Sequence, residues 1–261
     1  MNLRKDVRNL SDQELTDLRT AYGQMMQIRE NRGYNYLAGL HGVPGWYCWH
    51  HQRNTRTILS ARLFLPWHRA YMYRFEQAVQ DQNPEVNVHW WDWTSDTSRS
   101  EGIPRAFSDI TFGDDNQTNP LYQSHMYVPT ANPPLDQDTF RSPASPLDLP
   151  TREDIDRLLT LSDFGDFNDE LEDIHDRMHV WVGGSMAQVA TAAFDPIFYS
   201  HHAMIDRIWW IWQLENGNSG MPPNLLNMVL EPFNLTVRDV LNIYDLGYDY
   251  ASSQVEVVAE G

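Results

Sequence analysis

The 261-residue chain has a single cysteine, Cys48, so no disulfide can form within it. It has no run of about 18 apolar residues, so no membrane-spanning helix is expected. Its opening stretch, MNLRKDVRNL, carries no apolar segment of the kind a secretory signal needs. The expectation is a soluble protein, cytoplasmic or exported with a separate partner. Positive charge is scarce: 19 Lys and Arg stand against 36 Asp and Glu, for a net charge of −17. That balance argues against nucleic acid or an anionic membrane as a partner. No segment repeats at a fixed period. The hydrolytic zinc signature H-E-x-x-H is also missing.

What is present is aromatic and helical. Ten tryptophans supply large side chains for a rigid interior, and the length is enough for one large domain, 1–261. Ser11–Arg29 reads as a helix, with Ser11 as cap, Glu14 at the capping-box position, and Leu15, Leu18, Tyr22 and Met25 on one face. The glycine-rich stretch Asn31–Arg56 reads as turns. Trp67 to about Asp81 reads as a helix behind Pro66, and Val86–Thr94 as a short strand or extended piece. Ser95–Pro150 is polar and rich in Pro, Asp, Ser and Asn, and is expected to be an irregular excursion, not a separate domain. Thr151–Leu161, Asp169–Val180 and Phe194–Glu215 read as further helices. The second stops at Gly183-Gly184; the third has Asp195 as cap, Pro196 in its first turn and Gly217 beyond its end. The fold class is mainly α, with long loops and few short strands.

The ten histidines are unevenly placed. His175 and His179 stand at i and i+4 of a predicted helix, one turn apart, where two imidazoles can share a metal ion. His202 lies on the next helix in an aromatic, apolar run, where an unpartnered polar ring would cost on the order of 1–3 kcal/mol. In the first half, His68 opens a helix, and His41 and His50 precede it in the chain. Two groups of three are therefore available. All-imidazole ligation without carboxylates suits zinc or copper.

Four stretches together resemble the type-3 copper family of tyrosinases, catechol oxidases and haemocyanins, in its short, single-domain, bacterial-like form. They are ARLFLPWHRAYMYRFE (61–76), VHWWDWT (88–94), IHDRMHVWVGGSM (174–186) and DPIFYSHHAMIDRIWWIWQ (195–213), in family order. The resemblance implies a four-helix bundle gripping two copper ions, with O2 as co-substrate. It implies a copper A half at about 35–95 with ligands His41, His50 and His68. It implies a copper B half at about 165–215 with ligands His175, His179 and His202. Nine residues before the last copper A ligand, where the family commonly has its middle histidine, this chain has Leu59. Cys48-Trp49-His50 resembles the C-x-H of members whose cysteine sulfur is bonded to the ligand imidazole, which selects His50, with His51 as the alternative.

The same resemblance makes His201, Phe198 and Met186 pocket residues. Glu76 and Asp206 become groups that orient ligands or tie helices together. GYDY (247–250) resembles the tyrosine motif that closes the family's catalytic domain, against which an N-terminal arginine, Arg4 or Arg8, packs. No C-terminal shielding domain is expected. The implied activity is oxidation of o-diphenols to o-quinones, with ortho-hydroxylation of monophenols or oxidation of o-aminophenols. In efficient tyrosinases the residue after the first copper B histidine is often Asn, working with an upstream Glu on a water. Here it is Asp176, with Glu170, Glu172 or Asp166 upstream. The implied partners are a small phenolic substrate and a copper-loading chaperone. A haemocyanin-like oxygen carrier is the alternative reading, and a zinc hydrolase is disfavoured by the missing motif.

Overall fold

The computed structural model describes residues 1–45 and 61–251. Helices dominate it. Helix α1 (Asp12–Gln27) begins at the expected capping box: Ser11 Oγ accepts from the Glu14 backbone N–H, and Glu14 reaches back to the Ser11 N–H. Helix α2 (Tyr34–His41) replaces the start of the expected turn region. Its one internal glycine, Gly39, is buried where a side chain would press on Pro44, 3.3 Å from the position of a Cβ. Packing overrides propensity here.

Helix α3 (Phe64–Gln80) starts three residues before Trp67, and Pro66 falls within its first turn, where the missing N–H costs no bond. Two short helices, α4 (Asp96–Glu101) and α5 (Arg105–Ser108), open the long polar region. Antiparallel hairpins follow: β2 (Thr111–Phe112) with β3 (Gln117–Thr118), then β4 (His125–Val128) with β5 (Leu135–Asp138). The excursion is thus more ordered than its composition suggests. Helix α6 (Arg152–Leu159) has the expected Thr151–Asp154 capping box.

Helix α7 (Phe164–Val182) begins a full turn before Asp169, because Asp163 caps it by accepting from the N–H groups of Gly165 and Asp166. It stops at Gly183 and Gly184, both at positive φ (69° and 56°). A Cβ on either would sit 2.4 Å from the Ser142 carbonyl or 2.1 Å from that of Phe140, so only glycine permits this pinch. Helix α8 (Ile197–Asn216) starts where Asp195 accepts from the Ile197 N–H, and ends at Gly217.

Buried residues from Val7 to Val240 form one continuous apolar cluster. Rings lock the helices together: Phe75 of α3 stacks on Tyr199 of α8 with 3.4 Å between centroids, and the Tyr71 hydroxyl reaches both the Leu37 carbonyl and the Tyr199 hydroxyl. The segment 86–94, expected as a short strand or extended piece, is an extended crossing. Trp90 bonds both ways with the N-terminal segment, Trp91 bonds to the Ser200 carbonyl, and Trp90, Trp91 and Trp93 are all buried.

The N-terminal segment is clamped against residues 248–250. Strand β1 (Asn2–Arg4) pairs in parallel with β6 (Tyr248–Tyr250). The guanidinium of Arg4 lies 3.6 Å from the centre of the Tyr248 ring. It also forks onto Glu76 (2.9 and 3.1 Å) and reaches Asp206 (3.2 Å). Asp206 additionally accepts from Arg69, Tyr248 and Tyr250. Glu76 and Asp206 therefore tie α3 and α8 to β1 and to the strand paired with it.

Asp6, just past β1, is buried and faces Asp92; burial, with a smaller push from Asp92, raises its pKa to about 6. A carboxyl with a raised folded pKa stabilises the fold below its unfolded pKa, and that contribution disappears as pH rises through about 6. Asp6→Asn keeps an acceptor for the Arg8 N–H. Its stability relative to wild type should therefore grow between pH 4 and pH 7, by up to about 3 kcal/mol. Thermal unfolding of both proteins at the two pH values checks this.

Among the described residues, no helix is long and apolar enough to cross a membrane.

Candidate metal centre

Five of the expected ligand histidines come from four helices. His41 ends α2, His68 sits in the second turn of α3, His175 and His179 lie on one face of α7, and His202 lies in the second turn of α8. His41, His68, His175 and His202 are buried, and His179 is half-buried. His41 thus lies on a helix and not in a loop. The remaining expected ligand, His50, its alternative His51 and the crosslinking Cys48 lie outside the described residues.

The second half-site is compact. Nε2 of His175 lies 2.9 Å from Nε2 of His179 and 3.2 Å from Nε2 of His202; the third pair is 3.4 Å apart. Three ring nitrogens thus converge on one point. The other ring nitrogen faces an acceptor in three of the histidines. His179 Nδ1 is 2.8 Å from the Met186 carbonyl, His68 Nδ1 is 2.8 Å from the Phe64 carbonyl, and His175 Nδ1 is 3.0 Å from the Asp176 carboxylate. Each such contact places the proton on Nδ1 and leaves the Nε2 lone pair for a metal. Burial, then the neighbouring imidazoles, push His202 well below its ordinary pKa, so the ring is neutral, as a ligand must be. An all-imidazole set of this kind fits copper.

The two half-sites adjoin. His68 and His202 stack with centroids 4.4 Å apart, and His41 lies 5.5 Å from His68 and 6.3 Å from His202. Phe198 packs edge-on to His41 at 4.8 Å and over His202 at 4.0 Å, fixing both rings.

His201 joins His175, His179 and His202 in a group whose candidate ligand atoms lie within 4.8 Å of one another. Its ring stacks on His175 at 5.2 Å and 16°. Yet the three-way Nε2 convergence involves His202, and His202 alone of the adjacent pair faces His68. His202, not His201, thus joins the three-way cluster and faces the first half-site.

A cavity of about 190 Å3 opens on the cluster, lined by His41, His175, Asp176, His179, Val180, Met186, Ala187, Val189 and Ala192. Met186 is on its wall; Phe198 and His201 are not among the residues that line it. Asp176 is at the rim. Of the upstream acids, Glu172 is buried one turn before Asp176, whereas Glu170 and Asp166 are exposed; none lines the cavity. The Met186 carbonyl had no sequence signal as a histidine partner. Its position follows from the Gly183-Gly184 pinch, which turns the chain back under His179.

Residues 31–215 match a family described as the common central domain of tyrosinase. The chain is 33% identical over 223 residues to Hemocyanin 2 of Megathura crenulata, covering 81% of this chain and 6% of that protein. It is 29% identical over 269 residues to the tyrosinase of Streptomyces antibioticus, covering 92% of this chain and 96% of that one. Its structure resembles a functional unit of octopus hemocyanin with a TM-score of 0.77 at 27% identity, covering 97% of this chain and 68% of that one. The chain spans less than half the length of the first curated hemocyanins it matches.

Proposed function

The chain belongs to the tyrosinase family of type-3 copper proteins, and from that premise we propose that it is a phenol oxidase. It oxidises o-diphenols to o-quinones with O2, and acts also on monophenols or o-aminophenols. Two catechols give up four electrons and four protons; one O2 takes them and leaves as two waters. The observation that carries this reading is the cavity. An oxygen carrier needs room for O2 alone, whereas this cavity is walled by aliphatic side chains and ends on His41, His175 and His179. Engineered apolar cavities of about 150 Å3 hold a benzene ring.

The copper pair, when bound, supplies electron exchange between O2 and the phenol. His41, His68, His175, His179 and His202 would hold it, and the sixth ligand expected from the sequence, His50, lies outside the described residues. Met186, Val189 and Ala192 take one face of the ring and keep water out. Asp176 stands where a ring hydroxyl proton can leave, and it already fixes the tautomer of His175. Buried Glu172, one turn earlier, is its upstream partner on the helix.

The likeness to haemocyanin units supports oxygen carriage as the second reading. Oxygen uptake by the copper-loaded protein separates the two, with 4-methylcatechol and p-cresol run side by side. Uptake with both is the expected result. Uptake with the catechol alone restricts the activity to diphenols, and uptake with neither leaves oxygen carriage.

A further inference from the structure

Of the 19 lysine and arginine residues, Lys5 is the one lysine. A guanidinium keeps its proton and offers no lone pair, whereas a deprotonated lysine amine or a neutral imidazole offers one. The difference bears on the proposed product, because an o-quinone is an electrophile. A nitrogen lone pair adds to a ring carbon and the displaced electrons move to the quinone oxygens. The N–H proton and the hydrogen of the attacked carbon end on those two oxygens, leaving a catechol joined to the protein. All atoms of both partners are kept, and no further oxidant is needed.

Among the described residues, His125 is the one exposed histidine. It stands on β4 directly across from Asp138 of β5, with Asp136 two residues along on the same face. Both carboxylates reach it. Asp138 Oδ1 lies 2.8 Å from Nδ1, and Asp136 Oδ1 lies 3.0 Å from Nε2. Both contacts are hydrogen bonds only when both ring nitrogens carry protons, and such a ring has no lone pair to give. Gln123 Nε2 donates to the other Asp138 oxygen at 3.3 Å. Half-buried Lys5 donates its ammonium to Glu14. That bond, then the one from the Ser11 backbone, holds the Glu14 carboxyl down at about 2, so it remains a carboxylate. Buried His89 accepts the Lys5 backbone N–H on Nδ1. The other described histidines are those of the metal centre.

The hairpin that carries His125 is anchored to the segment that walls the cavity. Ser124 Oγ donates to the Phe194 carbonyl at 2.5 Å, two residues beyond Ala192 of the cavity lining. The Asn35 side chain of α2 donates to the His125 carbonyl at 3.1 Å.

We propose that Asp136, Asp138 and Glu14 are guard carboxylates, which keep His125 and Lys5 from being attacked by the o-quinone that the protein releases, and that arginine in place of lysine extends the same protection over the surface. The source of the quinone rests on the oxidase reading above; the chemistry at His125 and Lys5 does not.

The test supplies the electrophile directly. 4-Methyl-o-benzoquinone, made from 4-methylcatechol with periodate and freed of it, is added at pH 7 to the full chain, with Nα-acetylhistidine as internal standard. Peptide mass mapping gives the adduct yield at each residue. Wild type should gain little at His125 and Lys5. Asp136→Asn combined with Asp138→Asn should raise the His125 yield by about tenfold, the size expected for losing two exposed charge pairs. Glu14→Gln, which keeps the capping box, should raise the Lys5 yield several-fold. Asp138→Glu keeps the charge and should leave the His125 yield low. A merely structural pair would lower the melting temperature and leave the yield unchanged. Equal His125 yields in wild type and the double variant would overturn the proposal.

In a second arm the copper-loaded protein makes its own quinone from 4-methylcatechol. Exposed Arg177 stands beside Asp176 of the cavity lining. Arg177→Lys should therefore be modified at that position during turnover, and wild type should not. Quinone formed without an adduct there would overturn the role given to arginine. Absence of any quinone would remove the oxidase reading, while the first arm would still decide what the carboxylates protect.

Discussion

Replacing His202 with glutamine is expected to cut catechol oxidation by more than about a hundredfold and to leave at most one copper ion per chain. Its Nε2 sits 3.2 and 3.4 Å from those of His175 and His179, so the second half-site loses a third of its donors. The ring is also held between His68 at 4.4 Å and Phe198 at 4.0 Å. Glutamine is close in volume, so thermal unfolding of the variant should stay near that of the metal-free wild type. The informative partner is His201→Gln. That ring stacks on His175 and packs beside His179, so its loss should cost a few-fold in rate through misplacement of His175, with copper retained. Metal analysis of the two variants checks the assignment. Copper lost in His201→Gln and kept in His202→Gln would reverse it.

The second large effect concerns stability. Asp206→Ala should lower the unfolding free energy by about 3–5 kcal/mol, or on the order of 10 °C in melting temperature. Asp206 is buried and accepts from Arg69 at 2.5 Å, Arg4 at 3.2 Å, Tyr248 at 2.6 Å and Tyr250 at 2.5 Å. Truncating it leaves two buried guanidinium groups facing a void, although Glu76 still holds Arg4 and the Gln213 side chain still holds Arg69. The pH dependence has a definite sign. Burial alone would raise the Asp206 pKa, but Arg69 and Arg4 outweigh it and hold the carboxyl below its ordinary value. Its contribution is therefore complete above the unfolded carboxylate pKa of about 3.9 and is lost as pH falls through the lower folded value. The gap between wild type and Asp206→Ala should be full at pH 7 and narrow under acid. Calorimetry of both proteins at pH 7 and pH 3 measures it. Asp206 lies one turn beyond His202, so the variant should also bind copper less tightly.

Much of this was legible in the sequence, for physical reasons that can be named. The i, i+4 spacing of His175 and His179 puts two imidazoles on one helix face wherever the helix goes. Asp195, Pro196 and Gly217 mark the ends of α8 by local chemistry. Ser11 with Glu14, and Thr151 with Asp154, announce their helices in the same way. Helix α2 was not legible, since Gly33, Gly39, Gly42 and Pro44 spell turns. What holds it is tertiary: Tyr34 reaches the Phe194 carbonyl, and the Leu37 carbonyl accepts from Tyr71.

The role of Glu76 and Asp206 was only half legible. Their types and burial suggested either ligand orientation or helix ties, and separations of 72 and 202 residues to Arg4 decide for ties. The acceptors behind the histidines are two backbone carbonyls and one carboxylate. Carbonyls carry no residue signature, so the contacts of His68 and His179 could be found only in the folded chain.

The direct test of the account is the metal content of the purified protein after loading with Cu(I) in the presence of competing zinc, read by elemental analysis per chain. Convergent imidazoles from four helices, in two adjoining half-sites, predict two copper ions per chain, and a loss of one or both in His202→Gln. A single ion per chain, or zinc retained in preference to copper, would contradict the account at its centre.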